Sequence, residues 1–178
     1  MNKITFKISL LFAPLAYAFH HYEESIIFNF RAWRSLYFPD NKMPSTEMML
    51  VILMAITLVY IILHFKVENK ASAQSIIIFL MASQVNNIIF HTGGTVVFQD
   101  FSPGLITAIL LYIPVNIFIM QKALQEGWIS KSSLIVLFLL GGLIFWLFVN
   151  FGLIIMLTTL VISYLWIAYE TFRIKRAP

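Results

Sequence analysis

From Leu134 to Tyr169 the chain carries no lysine, arginine, aspartate, glutamate or histidine. At 1.5 Å rise per residue a single helix over that run would overshoot the roughly 30 Å hydrocarbon layer that it could cross. The run must therefore fold back on itself. Asn150-Phe151-Gly152 is the expected reversal, because Asn and Gly tolerate the left-handed backbone of a tight turn. Gly141-Gly142 is the competing break, but cutting there leaves too short a first segment, so the pair is expected to admit another helix at close range.

The remaining sequence has the same character. Of 178 residues, 60% are hydrophobic and 11% charged, and the mean hydropathy is +0.87. A soluble domain carries roughly 25% charged residues. Exposing this much apolar surface to water would drive association, whereas lipid removes the conflict. The expectation is an all-α integral membrane helical bundle, one domain over 1–178, with about six transmembrane helices near 6–30, 47–66, 71–91, 103–122, 132–149 and 152–171. Pro103 suits the first turn of the fourth helix, and Pro114 should kink it.

The basic residues orient this arrangement. With six spans, Lys3, Lys7, Lys66, Lys70, Lys122, Lys131, Arg173, Lys175 and Arg176 share one side, and only Arg31, Arg34 and Lys42 the other. Lysine and arginine accumulate on the cytoplasmic side, which places both termini in the cytoplasm. Scattered singly between apolar runs, these residues do not form a nucleic-acid surface; membrane lipid is the expected partner, with a homo-oligomer or a membrane partner also open. Cysteine is absent, which excludes disulfides, thiolate metal sites and a cysteine nucleophile. A competing reading of the N-terminus is a secretory signal, with Lys3 and Lys7 before an apolar run and a small-residue cleavage site at Ala16-Tyr17-Ala18.

The stretch that invites chemistry is His20-His21-Tyr22-Glu23-Glu24. On a helix, positions i, i+3 and i+4 share a face, so His20, Glu23 and Glu24 are expected to project together, with His21 and Tyr22 turned elsewhere. Two carboxylates at membrane depth need compensation, since a central charge costs about 2.5–3.5 kcal/mol on insertion scales. Asn87 and His91, spaced i, i+4 on the third span, are candidate partners. Counting at 1.5 Å per residue puts His20 about 21 Å and Asn87 about 22 Å from the inner surface, in one layer of the outer half of the bilayer. Thr107 and Tyr112 on the fourth span pass through that layer too.

Imidazole and carboxylate together suit a divalent metal such as zinc, iron or manganese. His20, Glu23 or Glu24, and His91 are the expected ligands. The other glutamate would act as catalytic base or proton relay, and Asn87, Thr107 and Tyr112 would orient the ligands from behind. Such a centre would activate water or oxygen against a lipid or other apolar substrate. Three rivals stand beside it: a structural polar cluster, a proton-coupled carrier titrating the same residues, and a subunit that docks a partner on the Gly141-Gly142 face. His64, beside Lys66, is expected to reach the interface, Arg31 and Arg34 to meet headgroups, and Trp33 and Tyr37 to join an aromatic belt. Thr92-Gly93-Gly94-Thr95 is expected to be a turn.

His20, Glu23 and Glu24 match the motif of the HXXEE family of small bacterial membrane proteins, which the chain resembles. Asn87 with His91 and Pro103-Gly104 with Thr107 match two further motifs of that family in the same order. The resemblance implies a multi-pass domain in the bacterial inner membrane, with its motif on a retained first helix, and names no activity.

Overall fold

The structure, a computed structural model, describes residues 4–40 and 43–176. Lys3 and Lys42, which enter the charge balance, lie outside the described residues. Among the described residues, five helical stretches are long and apolar enough to cross a membrane: Thr46–Val67, Lys70–Phe98, Leu105–Gln125, Lys131–Phe151 and Leu153–Arg176.

The N-terminal segment is helical in pieces, α1 (Phe6–Leu10), α2 (Phe12–Tyr22) and a π-helical turn over Glu23–Ile27. Its break at Leu11 follows from Pro14, which has no N–H to offer the carbonyl four residues earlier. The segment does not reach residue 30 as one helix, because Phe28 adopts an extended backbone. It is nevertheless deep in the bundle, with Phe6, Leu10, Ala13 and Tyr17 buried, so the stretch that signal cleavage would remove supplies part of the core.

A short helix, α3 (Phe30–Tyr37), occupies the first connection, capped by the Asn29 side chain, which accepts from the Ala32 N–H at 3.0 Å. Then α4 (Thr46–Val67) starts under a Ser45 cap and ends at Glu68, whose φ of 48° reverses the chain. The Asn69–Ser72 capping box opens α5 (Lys70–Leu80) at once, so α4 and α5 pack side by side.

Helix α5 runs through a π-helical turn, Met81–Val85, into α6 (Asn86–Phe98). The expected turn at Thr92–Thr95 is therefore helix, and the third stretch passes residue 91. Gly94 has a packing role there: a Cβ would lie 2.8 Å from the Trp33 ring. This third stretch is the hub of the bundle, 61% buried against 17% for each of the last two.

The fourth stretch comprises α7 (Leu105–Thr107), a π-helical turn over Ala108–Tyr112 and α8 (Ile113–Gln125). Pro114 again leaves a carbonyl without its usual N–H, and the widened turn just before it absorbs the mismatch. Last come α9 (Lys131–Phe151) and α10 (Leu153–Arg176), hinged at Gly152 with φ of 75°, at the expected reversal. Gly141 lets α9 press on the second π-turn, where a Cβ would collide with Met81 Cβ and stand 2.9 Å from the Ala82 nitrogen. The face suggested for an external partner is thus occupied within the molecule.

Candidate metal centre

The π-turn at the end of α2 widens the helix where the motif lies, and His20, His21, Glu23 and Glu24 are all buried. Helix continues past Phe19 through Ile27, so the motif stays inside the bundle. His91 is fully buried too, its ring 5.1 Å from that of His20 in an edge-on contact. The two motifs expected to share a layer do meet.

Glu24 is the meeting point. Its Oε1 lies 3.5 Å from His20 Nε2 and 3.4 Å from His91 Nε2, and its Oε2 lies 3.1 Å from His21 Nδ1. His20, Glu24 and His91 form a group whose ligand atoms all fall within 4.8 Å of one another, and this group could hold a metal ion. His21 belongs to the cluster rather than pointing away; it is i, i+3 from Glu24, a spacing that also shares a face.

Glu23, expected as ligand or base, is turned onto the start of the fourth stretch. Its Oε1 accepts from the Gly104 and Ile106 N–H groups at 3.1 and 3.2 Å. Its Oε2 accepts from the Thr107 N–H at 2.7 Å and the Thr107 hydroxyl at 2.5 Å. A helix start supplies unpaired N–H groups and a positive field, which is what a buried carboxylate requires.

Hydrogen-bond bookkeeping fixes the imidazoles. His21 Nε2 meets the Thr46 carbonyl, which can only accept, so that nitrogen carries the hydrogen. In the neutral ring, Nδ1 then turns a lone pair toward Glu24. The Thr107 hydroxyl gives its proton to Glu23 and so accepts from His20 Nδ1 at 3.0 Å, which leaves His20 Nε2 unprotonated. His91 Nδ1 pairs with Ser102 Oγ at 2.8 Å. Apart from the Glu24 oxygens, His20 Nε2, His21 Nδ1 and His91 Nε2 have no partner among the described residues.

The surroundings hold these rings in place. The Tyr112 ring lies 4.5 Å from the His20 ring, Tyr17 stacks on His21 at 5.6 Å, and the Phe30 ring covers His91 at 5.3 Å. Thr107, expected behind the ligands, touches His20 directly. Asn87 is half-buried with its Oδ1 enclosed and unpartnered, and no hydrogen bond joins it to the histidines among the described residues. Gly104, with φ of 99°, sits over the cluster: a Cβ there would lie 2.8 Å from Cε1 of both His20 and His91, and 3.1 Å from Glu24 Cγ.

His64 does not reach the interface. It is fully buried between the Phe6 and Trp128 rings, with Nδ1 2.8 Å from Ser72 Oγ. Arg34 is buried as well, and Trp33 packs in an aromatic cluster with Phe30, Phe90 and Phe98 rather than in a belt.

Residues 11–119 match the family model described as a protein of unknown function with HXXEE motif. That stretch is more than half of the chain and contains all the residues around Glu24 named above, and the chain belongs to this family. The uncharacterized protein YrkK of Bacillus subtilis (strain 168) is 38% identical over 73 residues, which make up 40% of this chain and 46% of that protein. The match thus spans less than half the length of that relative. No solved structure matches.

Proposed function

We propose that this chain is a six-span protein of the bacterial inner membrane, with both termini cytoplasmic, that binds a divalent metal ion through His20, Glu24 and His91. The ion would lie in the outer half of the bilayer and serve an enzyme acting on a lipid or other apolar substrate. The sixth span is the broken helix Phe6–Ile27, whose burial and length match those of a crossing segment.

The observation that carries the metal is the convergence of two buried imidazole nitrogens on one carboxylate, with His20 Nε2 turning a lone pair toward it. An acceptor faces an acceptor there, and a cation shared between them would reconcile the pair. The separations fit an ion: with bonds of about 2.0–2.1 Å, two ligands of a tetrahedral centre stand roughly 3.3–3.4 Å apart. Glu24 lies 3.5 and 3.4 Å from the two nitrogens, longer than a good N–H···O bond. Thr107 and Ser102, bonded to the far nitrogens, orient the rings as partners of metal-bound histidines do.

Two histidines and one carboxylate leave coordination positions open for water, oxygen or substrate. Zinc in such a set generates a nucleophilic hydroxide, and iron supports oxygen chemistry, so the metal's identity separates hydrolysis from oxidation. With Glu23 committed to four hydrogen bonds, Glu24 is the carboxylate left to the centre. An apolar substrate is supported by a groove of about 270 Å³, walled by Phe19, Ile27, Phe28 and Leu111, with Glu23 and Thr107 among its lining. Phe19 and Ile27 are exposed, so this groove faces lipid.

Elemental analysis of the detergent-purified protein tests the reading. About one zinc, iron or manganese per chain is expected, lost in both H20A and H91A while circular dichroism stays helical. A folded wild type without metal, or variants that keep it, would refute the assignment.

A further inference from the structure

Arg34 is the one buried arginine among the described residues, 7% exposed, on the short helix α3. One arm of its guanidinium is spent: Nη2 donates to the Pro44 carbonyl at 2.9 Å. The other arm is not, since Nη1 is enclosed and has no hydrogen-bond partner. No carboxylate lies within ion-pair distance of it among the described residues. A desolvated guanidinium without a counter-charge is costly to maintain, and a planar fork with free N–H groups is the group best matched to an oxyanion.

Its position ties it to the centre on two sides. The chain segment that receives Arg34 at Pro44 receives His21 at Thr46, and His21 Nδ1 lies 3.1 Å from Glu24. On the other side, the guanidinium carbon stands 5.8 Å from the Phe30 ring, which in turn covers His91 at 5.3 Å. Burial lowers the pKa of Arg34 from its ordinary value, with the Glu24 carboxylate acting the other way. Arginine remains a cation throughout any ordinary pH range.

We infer that Arg34 Nη1 binds an anionic oxygen, of a phosphate or carboxylate, on the molecule that reaches the Glu24 centre. The substrate class is then an amphiphile, with an anionic group at α3 and an apolar body in the bilayer. Its place in the reaction rests on the metal reading above, whereas anion binding itself does not. Phosphate chemistry can arrive as a lipid headgroup or as a free ion, and both would use the same N–H groups.

The experiment uses the full chain in nanodiscs of phosphatidylcholine, alone, with added inorganic phosphate, or with phosphatidylglycerol replacing part of the lipid. Binding is read from Trp33-sensitive fluorescence and from the thermal midpoint, beside R34Q and R34K. Wild type is expected to respond to one anion source, and R34Q to bind it roughly ten- to a hundredfold more weakly, as loss of a charge-assisted pair implies. R34K, which keeps the charge but loses the fork, falls between them. A response to phosphatidylglycerol alone assigns a headgroup site, and a response to phosphate alone assigns a free anion. Equal responses in wild type and R34Q, or none in wild type, overturn the inference. Metal content is measured in the same samples: R34Q that retains metal but loses anion binding separates this site from the metal centre.

Discussion

Replacing Gly104 by alanine tests whether the cluster is a ligand sphere or only a packed polar core. Two penalties are legible. Alanine at φ of 99° occupies backbone space that side chains avoid, at about 1–2 kcal/mol. The added Cβ would stand 2.8 Å from Cε1 of His20 and of His91, where ordinary carbon contacts are about 3.5–4.0 Å. The rings must retreat by roughly 0.7 Å or more, and overpacking of that kind costs about 1–3 kcal/mol. The sum, about 2–5 kcal/mol, is a large part of an ordinary folding free energy of about 5–15 kcal/mol. It falls on both imidazoles together, and metal–ligand distances tolerate only about 0.2 Å. Metal content should therefore drop in the protein that remains folded, which paired elemental analysis and thermal unfolding with and without chelator would read. Gly93→Ala is the control, with nothing within 4 Å of its Cβ, and should leave both unchanged. If G104A lowered the melting temperature yet kept a full metal load that chelator still destabilised, the reasoning from Gly104 to the ligands would be refuted.

Glu23→Gln removes one acceptor oxygen and sets an NH2 against the donors of the fourth stretch; a loss of about 2–4 kcal/mol is expected with metal retained in the folded fraction, measured by thermal unfolding and elemental analysis. Gly141→Ala drives a Cβ into the backbone at Met81–Ala82 and should destabilise the bundle by about 1–3 kcal/mol or more without changing the metal-to-protein ratio. Metal retention should also fall with acid, because histidine and carboxylate ligands must be free of protons to bind a cation. Dialysis at pH 5 against pH 8 followed by elemental analysis would show this, and equal retention would contradict histidine ligation.

Much of the fold is visible in the sequence because lipid makes hydropathy decisive. The charge-free run reverses at Gly152 as its length requires, and Gly141 admits a neighbour as a small residue in a helix can. The errors came where a side chain's use depends on a distant partner. Thr92–Thr95 contains two glycines and reads as a turn, yet Gly94 serves the approach of Trp33 within a continuous helix. His64 stands beside Lys66 and reads as interfacial, but the Phe6 and Trp128 rings and Ser72 enclose it. Within the site, helical spacing brought His20 and Glu24 together and depth counting brought His91 to them. What spacing could not supply is the division of labour between the glutamates, because it is decided by Gly104–Thr107, some eighty positions later in the chain. Ser102 was missed for the same reason, although it sits directly before the Pro-Gly pair.

The division between the glutamates bears on the choice between a metal centre and a structural cluster. Glu23 is compensated in full by N–H groups and a hydroxyl, so it shows how this bundle buries a carboxylate when nothing else is required of it. Glu24, the next residue, receives no such donors; histidine nitrogens surround it instead, and their far atoms are tied to Thr107, Thr46 and Ser102. A structural cluster could satisfy Glu24 with one proton shared with one ring, leaving two imidazole acceptors enclosed and unmatched. At about 1–3 kcal/mol for each unsatisfied buried group, that arrangement would forfeit roughly 2–6 kcal/mol for no gain in packing. A divalent ion would take lone pairs from His20, His91 and Glu24 together. The geometry that leaves a structural cluster with two unmatched acceptors would leave a metal centre with one.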